Sequence, residues 1–437
     1  MTEKIAGRLE QWRSGEGIDF ISPEAKTAFR QRAGRIADVI RLKRPDRVPV
    51  APSFGMFSYL DQGLTCEEAC FDPQKAADAA LRTLEKYEPD MFLGSGYALP
   101  GRAFTALDYR QVRWPGRDIP AHYIYQFVEG EYVTAQELYD LYLEDPSDFM
   151  LRIYLPRTCG HLKPLARLKP WSEFFGYYLT MAGSLAFFGL PEVQAALGAL
   201  MKAGEESLKW TGILSRQARE IKARGFPRYE GGDTAAPYDL VGDWFRGTAG
   251  VMTDMYRYPD RLLAVMERLV PLAVKIGLSR IRAGGNPIVG LRLHKGADGF
   301  MSPSQFETFY WPTLKKVMLA LIEAGCVPML LFEGEYTSRL ETIADIPRAT
   351  CIYCFEKVDW GRAKDILGGT VCLRGGIPAS LLHSGTVDEV KARVREMIDL
   401  VGRDGGYIVD CGIWFDEAKS ENVKAMIDYA KEYGVYG

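Results

Sequence analysis

The chain has 437 residues, with 54 Lys plus Arg against 57 Asp plus Glu and a formal net charge of −3. Hydrophobic residues make up 47% and charged residues 25%, which suits a globular chain and excludes a disordered one. So even a balance gives no electrostatic reason to bind nucleic acid or an anionic membrane, and no run of about 18 apolar residues signals a membrane span.

The first 45 residues read as helical. They lack the basic-then-apolar plan of a signal peptide, which points to a cytoplasmic setting in which the eight cysteines are thiols. Ser22-Pro23-Glu24 starts a helix, with Ser as N-cap and Pro at the first helical position. That helix stops before Pro45, and a strand-then-helix rhythm begins. Arg47 to Pro52 reads as a strand, Pro73 to Tyr87 as a helix, and Met91 to Gly94 as a strand. The stretch 105–225 fits the rhythm poorly. It holds a strand or hairpin within Pro120–Val133 and an aromatic segment, Trp171 to Phe188. That segment reads either as ordinary core helix or as a lid supplying aromatic walls to a pocket.

The second half is clearer. Strands are expected at 287–293, 327–332, 351–355, 371–374 and 407–410. Helices are expected at 302–323, 337–346, 360–367, 387–401 and 420–433. Strands that are apolar on both faces and separated by amphipathic helices belong to a parallel sheet covered by helices. Consecutive units of this kind predict an α/β fold, a (β/α)8 TIM barrel over 46–437, with 1–45 as an N-terminal helical extension and 105–225 as an inserted lid-like segment.

In such a barrel the chemistry sits where the strands end. Leu293 is followed by His294-Lys295, Phe332 by Glu333-Gly334-Glu335, Arg374 by Gly375-Gly376, and Asp410 by Cys411-Gly412. His294, Glu333 and Cys411 form a candidate catalytic zinc set, since zinc accepts N, O and S ligands and keeps one position open. Glu335 lies two residues past Glu333, so an extended backbone turns both the same way. The bland readings stand beside this one. They are a buried structural Cys411, ion-paired glutamates and a satisfied His294. Cys351-x-x-Cys354 falls within a strand and Cys66-x-x-x-Cys70 on a helix, so both pairs read as structural. No dinucleotide fingerprint, P-loop or Ser-His-Asp set is present.

Several short stretches together resemble the uroporphyrinogen decarboxylase superfamily, and within it the corrinoid-linked methyltransferase branch. They are Pro45-Asp46-Arg47-Val48-Pro49-Val50, Phe300-Met301-Ser302-Pro303, Lys357-Val358-Asp359, Arg374-Gly375-Gly376-Ile377-Pro378 and Glu421-Asn422-Val423-Lys424-Ala425. True decarboxylases of the superfamily carry an Arg-Gln-Ala-Gly-Arg signature after the first strand. Here that place reads Phe54-Gly55-Met56-Phe57-Ser58-Tyr59, which disfavours a porphyrinogen with many carboxylates. The resemblance implies a zinc site of His, Cys and Cys. In this chain Leu331 takes the His place, Glu333 the first Cys place, and Cys411 the second, so the missing ligand falls to His294 or Glu335. A zinc with more oxygen and nitrogen ligands is a harder Lewis acid, suited to an ether oxygen. The resemblance then implies transfer of a methyl group from a methoxylated aromatic compound to the cobalamin of a separate corrinoid protein. Lys295, Arg292 and Arg374 would meet a ring carboxylate, and Tyr177, Tyr336 and Trp414 would wall the ring. Alternatives are another donor or acceptor (a methylamine, a methylthiol or coenzyme M), a small-acid decarboxylase, or a non-catalytic binding protein. An oligomer is compatible with all of these.

Overall fold

A computed structural model describes residues 1–174 and 177–436. Its centre is a parallel sheet of six strands in sequential order: β3 (Gly232–Ala235), β4 (Ile288–Leu293), β5 (Val327–Glu335), β6 (Ile352–Lys357), β7 (Cys372–Gly376) and β8 (Tyr407–Asp410). Most sheet positions are buried on both faces, as the unbroken apolar runs required. A separate antiparallel pair, β1 (Val112–Arg113) with β2 (Gln126–Phe127), lies in the insertion.

The regular ladder is six strands wide, so the expected eight-stranded closure is not present as continuous sheet. The two missing strands occur instead as single bridges. Val50 pairs with Val409 of β8, and Phe92 pairs with Arg228 just before β3. Between them the Asp90 N–H donates to the Val50 carbonyl at 2.8 Å. Both segments are short and punctuated by Pro49, Pro52 and Gly94. Proline removes a ladder donor, which explains the loss of regular pairing in the first segment.

Side chains take over where the ladder is thin. The Val50 N–H donates to Asp90 Oδ2 at 2.8 Å, and the Ser53 N–H donates to Asp410 Oδ1 at 2.7 Å. Asp90 is fully buried and also accepts from Arg47 and Arg35, at 2.8 and 3.0 Å. Opposing charges offset the desolvation of that carboxylate and hold its pKa below the ordinary value.

The N-terminal helices form as expected. Ser22 caps the helix Pro23–Ile40 by accepting from the Ala25 N–H, and Phe29, Ala33, Ile36 and Ile40 are its buried stripe. The helices Pro73–Tyr87 and Ser420–Tyr433 also match the expected bounds. The poorly patterned middle contains the longest helix, Pro191–Ala223, which has no side-chain cap. Trp171–Phe188 does not wall the strand ends. Its described residues include Phe187 and Phe188, which pack on a second small core of Cys159, Leu162, Leu165, Leu168, Val193 and Ala196. Phe175 and Gly176 of that segment lie outside the described residues. No single helix among the described residues is long and apolar enough to cross a membrane.

One backbone position past β8 depends on glycine. Gly412 has φ of 78°, and a Cβ there would run into the Phe355 carbonyl of β6. Gly412→Ala is expected to lower stability by at least about 1–3 kcal/mol, read as a drop in the urea midpoint at unchanged m-value.

Candidate active site

The site is built from β4 outward. His294 and Lys295 follow the last residue of β4, and a fully buried carboxylate pins them. Asp239 accepts both backbone N–H groups, at 3.1 and 3.0 Å, and the Tyr310 hydroxyl at 2.6 Å. Burial is the main cause pushing the Asp239 pKa up to about 6. Four residues on, Asp243 meets the side chains of the same two residues. Its Oδ2 lies 2.6 Å from His294 Nδ1 and its Oδ1 2.7 Å from Lys295 Nζ. Glu129 of the insertion adds a second contact to Lys295 at 3.4 Å. His294 Nε2 faces Glu333 Oε1 at 3.9 Å.

Burial opposes a charge on His294, but the hydrogen bond to Asp243 and the charges of Asp239, Asp243 and Glu333 outweigh it. Its pKa is pushed up to about 9 from an ordinary 6.5. Because the folded value is the higher one, the pair stabilises the fold fully below about pH 6.5, and that contribution fades as pH rises through about 9. A stability–pH curve is expected to fall across that window, and His294→Gln to flatten it. Glu333 moves the other way from a free carboxylate. Burial, with Asp239, Glu356 and Asp243 nearby, raises its pKa against the pull of His294.

The four expected metal ligands do not gather. Among the described residues, no group of three or more His, Cys, Asp and Glu is placed to hold a metal ion. His294 and Glu333 meet, but Nδ1 of the histidine is committed to Asp243. Glu335 is turned away because the β5–β6 register shifts between Phe332 and Glu335, where Gly334 adopts φ of 89°. Its Oε1 accepts from the Thr337 N–H at 3.1 Å instead. Cys411 is buried in the hydrophobic core. In this structure His294 and Glu333 approach each other, while Glu335 and Cys411 do not join them in one cluster.

The expected substrate groups also divide. Arg374 is wholly buried and saturated. Its Nε donates to Asp410 Oδ2 at 3.0 Å, Nη2 to the Ala51 carbonyl at 2.6 Å, and its guanidinium lies 3.9 Å from the Tyr229 ring centroid. Lys295 is held by Asp243 and Glu129. Tyr336 is buried edge-on to Phe332, and Tyr177 is 88% exposed on the insertion. None of these four lines the recess beside Trp414. Trp414 and Arg292 are different. They line a narrow recess among the strands with Tyr229, Leu291, Met329 and Leu331. Arg292 pairs with Glu230 at 2.8 Å and lies over the Trp414 ring at 5.8 Å. Trp414 in turn packs on Tyr97 and Tyr229, with centroids 5.3 and 5.4 Å apart.

Sequence reading missed Asp239, Asp243, Glu129, Tyr97 and Tyr229. The two aspartates follow β3, whose Gly-Asp-Thr-Ala sequence lacks the apolar run that marks its neighbours. Had that strand been placed, its end would have pointed to them.

Fold and site together define a parallel α/β protein with its polar groups collected at the C-terminal ends of the strands. Residues 231–433 match the uroporphyrinogen decarboxylase (URO-D) family. It is similar to uroporphyrinogen decarboxylase of Danio rerio, with 26% identity over 213 residues, covering 45% of this chain and 55% of that protein. The decarboxylase of Flavobacterium johnsoniae is 24% identical over 255 residues, or 56% of this chain and 67% of that protein. The chain thus spans little more than half the length of the first of these relatives. Among solved structures, a methyltransferase from Methanosarcina mazei shares the fold, with TM-score 0.59 at 16% identity, covering 92% of this chain and 98% of that one.

Proposed function

We propose that this chain is a methyltransferase that takes the methyl group of a methoxylated aromatic compound and delivers it to a reduced corrinoid on a partner protein. The observation that carries the reading is a proton-bearing histidine held beside Asp243 at the end of β4. Tyr229 and Trp414, with Leu291, Met329 and Leu331, line a narrow apolar and aromatic recess that would have to open to admit a ring. His294, charged beside Asp243, offers the hydrogen bond that a departing oxygen needs. The fold shared with a methyltransferase over nearly the whole chain supports the same reading. The Val50 and Phe92 bridges support reading the sheet as a barrel whose first two strands are reduced to single contacts.

A corrinoid, when docked, supplies the nucleophile that accepts the methyl group. The chain's residues do the rest. In the proposed complex the recess opens to take the ring, with its ether oxygen turned toward His294. As the carbon–oxygen bond breaks, its electron pair moves to oxygen. The Nε2–H of His294 donates to that oxygen and passes its proton there, so a neutral phenol leaves. Asp243 holds the imidazole by Nδ1 throughout, and Lys295 offsets the charge of Asp243. Arg292 can turn from Glu230 to a carboxylate on the ring. No step is assigned to a metal.

The test is incubation of the purified chain with chemically reduced cob(I)alamin and a panel of methoxybenzenes. Methylcobalamin formation with aryl ethers, and not with methylamines or methylthiols, is the expected result. A response confined to amines or thiols would overturn the aryl ether. Metal analysis is independent of substrate. One zinc per chain, lost on Glu333→Ala, would replace the His294 assignment with a metal-based one.

A further inference from the structure

At the end of the sheet opposite the candidate active site, four cations stand together without partners. Arg219 and Lys222 lie three residues apart near the end of the helix Pro191–Ala223, and so share a face. Arg228 follows at the bridge to Phe92, and Arg282 lies in the turn that leads into β4. The Gly225 N–H donates to the Lys222 carbonyl at 2.9 Å and the Asn286 side chain to the Arg228 carbonyl at 2.7 Å, so the helix end, the Arg228 bridge and the turn before β4 adjoin; after burial, the charges of Arg228, Arg282 and Arg219 lower the Lys222 pKa. Among the described residues none of them makes an ion pair or a side-chain hydrogen bond, and the buried Arg228 Nε has no partner at all.

The nearby acids are already engaged. Asp233 pairs with Arg280 at 2.8 Å, and Glu230 pairs with Arg292 at 2.8 Å. The dipole of the long helix favours Arg219 and Lys222 at its C-terminal end, but it does nothing for Arg228 and Arg282. A half-buried guanidinium with an unused donor, ringed by like charges, is an arrangement that a bound anion stabilises. Arg282 and Arg219 are exposed, so a ligand can reach it. Three guanidinium forks and one ammonium match the several oxygens of a phosphate better than a single carboxylate.

We infer that Arg219, Lys222, Arg228 and Arg282 form a binding site for a phosphate group, carried free or as part of a larger phosphate ester. The inference is independent of the methyl-transfer reading, because the site lies at the other end of the sheet.

Calorimetric titration of the full chain at low ionic strength tests it, with inorganic phosphate, inorganic tripolyphosphate and ADP as separate probes. Saturable binding that weakens with added salt is expected. Lys222→Gln and Arg282→Gln should each weaken it by about tenfold. These two side chains bond nothing else, so both variants should keep the parent circular dichroism. Arg228→Lys should bind far better than Arg228→Gln. Phosphate binding as tightly as ADP would identify the free ion, and ADP binding alone would identify an ester. Absence of saturable binding by all three probes would overturn the site. So would unchanged affinity in the Lys222→Gln/Arg282→Gln double variant.

Discussion

Replacing His294 with Asn is expected to slow methyl transfer from a methoxybenzene to cob(I)alamin by about 10²- to 10³-fold, the usual worth of a positioned general acid. The loss should fall on kcat and leave KM nearly unchanged, because the hydrogen bond strengthens only as charge builds on the departing oxygen. The leaving group gives a sharper readout. A phenolate that is stable unaided needs little help, so 4-nitroanisole should be slowed less than an electron-rich methoxyphenol. A merely structural role for His294 would slow both alike. Asn keeps a donor for Asp243, and Lys295 remains paired to that carboxylate, so the fold around β4 should survive. Equal rates for parent and variant would remove His294 from the mechanism.

The second large effect concerns stability. Asp410→Ala is expected to cost about 3–5 kcal/mol, read from the urea midpoint, because it leaves the Arg374 charge buried and unpaired. More than the pair is lost. Asp410 also accepts from the Ser53 N–H and the Cys411 N–H, each at 2.7 Å, and from the Ser53 hydroxyl at 2.7 Å. Arg374→Met in the same chain should recover part of the loss by removing the stranded guanidinium, which tests the charge explanation directly. Asp428→Ala serves as control. It breaks the exposed pair with Lys424 and should cost no more than about 0.5 kcal/mol.

Much of the fold was legible because the strands β4 to β8 are apolar runs set between amphipathic helices. Capping residues such as Ser22 marked a helix end to the residue. What misled was local. Segments 47–52 and 91–94 read as full strands but form only isolated bridges, at Arg47, Val50 and Phe92. β3 is short and polar, and was not seen at all. The middle of the chain has no period that separates a lid from a second core.

The site was legible at the level of strand ends and not at the level of partners. His294, Glu333, Arg292 and Trp414 were found because each sits at the end of a strand or just beyond it. Which of them are free is a matter of long-range pairing. Arg374 with Asp410, Lys295 with Glu129 and His294 with Asp243 join residues 36, 166 and 51 positions apart. The Glu335 expectation failed for a different reason. Side-chain alternation holds only while the ladder is regular, and a glycine shifts it there.

The side chains that tie Val50 and Ser53 into place belong to Asp90 and Asp410. The second of these is not made until the ribosome has nearly finished the chain. The earliest of the strand segments to be synthesised must therefore be among the last to dock, waiting for a carboxylate 357 residues downstream. Pulse-labelled hydrogen exchange during refolding should show the Ser53 amide gaining protection after those of β4 to β6. Such a protein is completed by its tail, and a nascent chain stalled short of residue 410 would leave its opening strand without a berth.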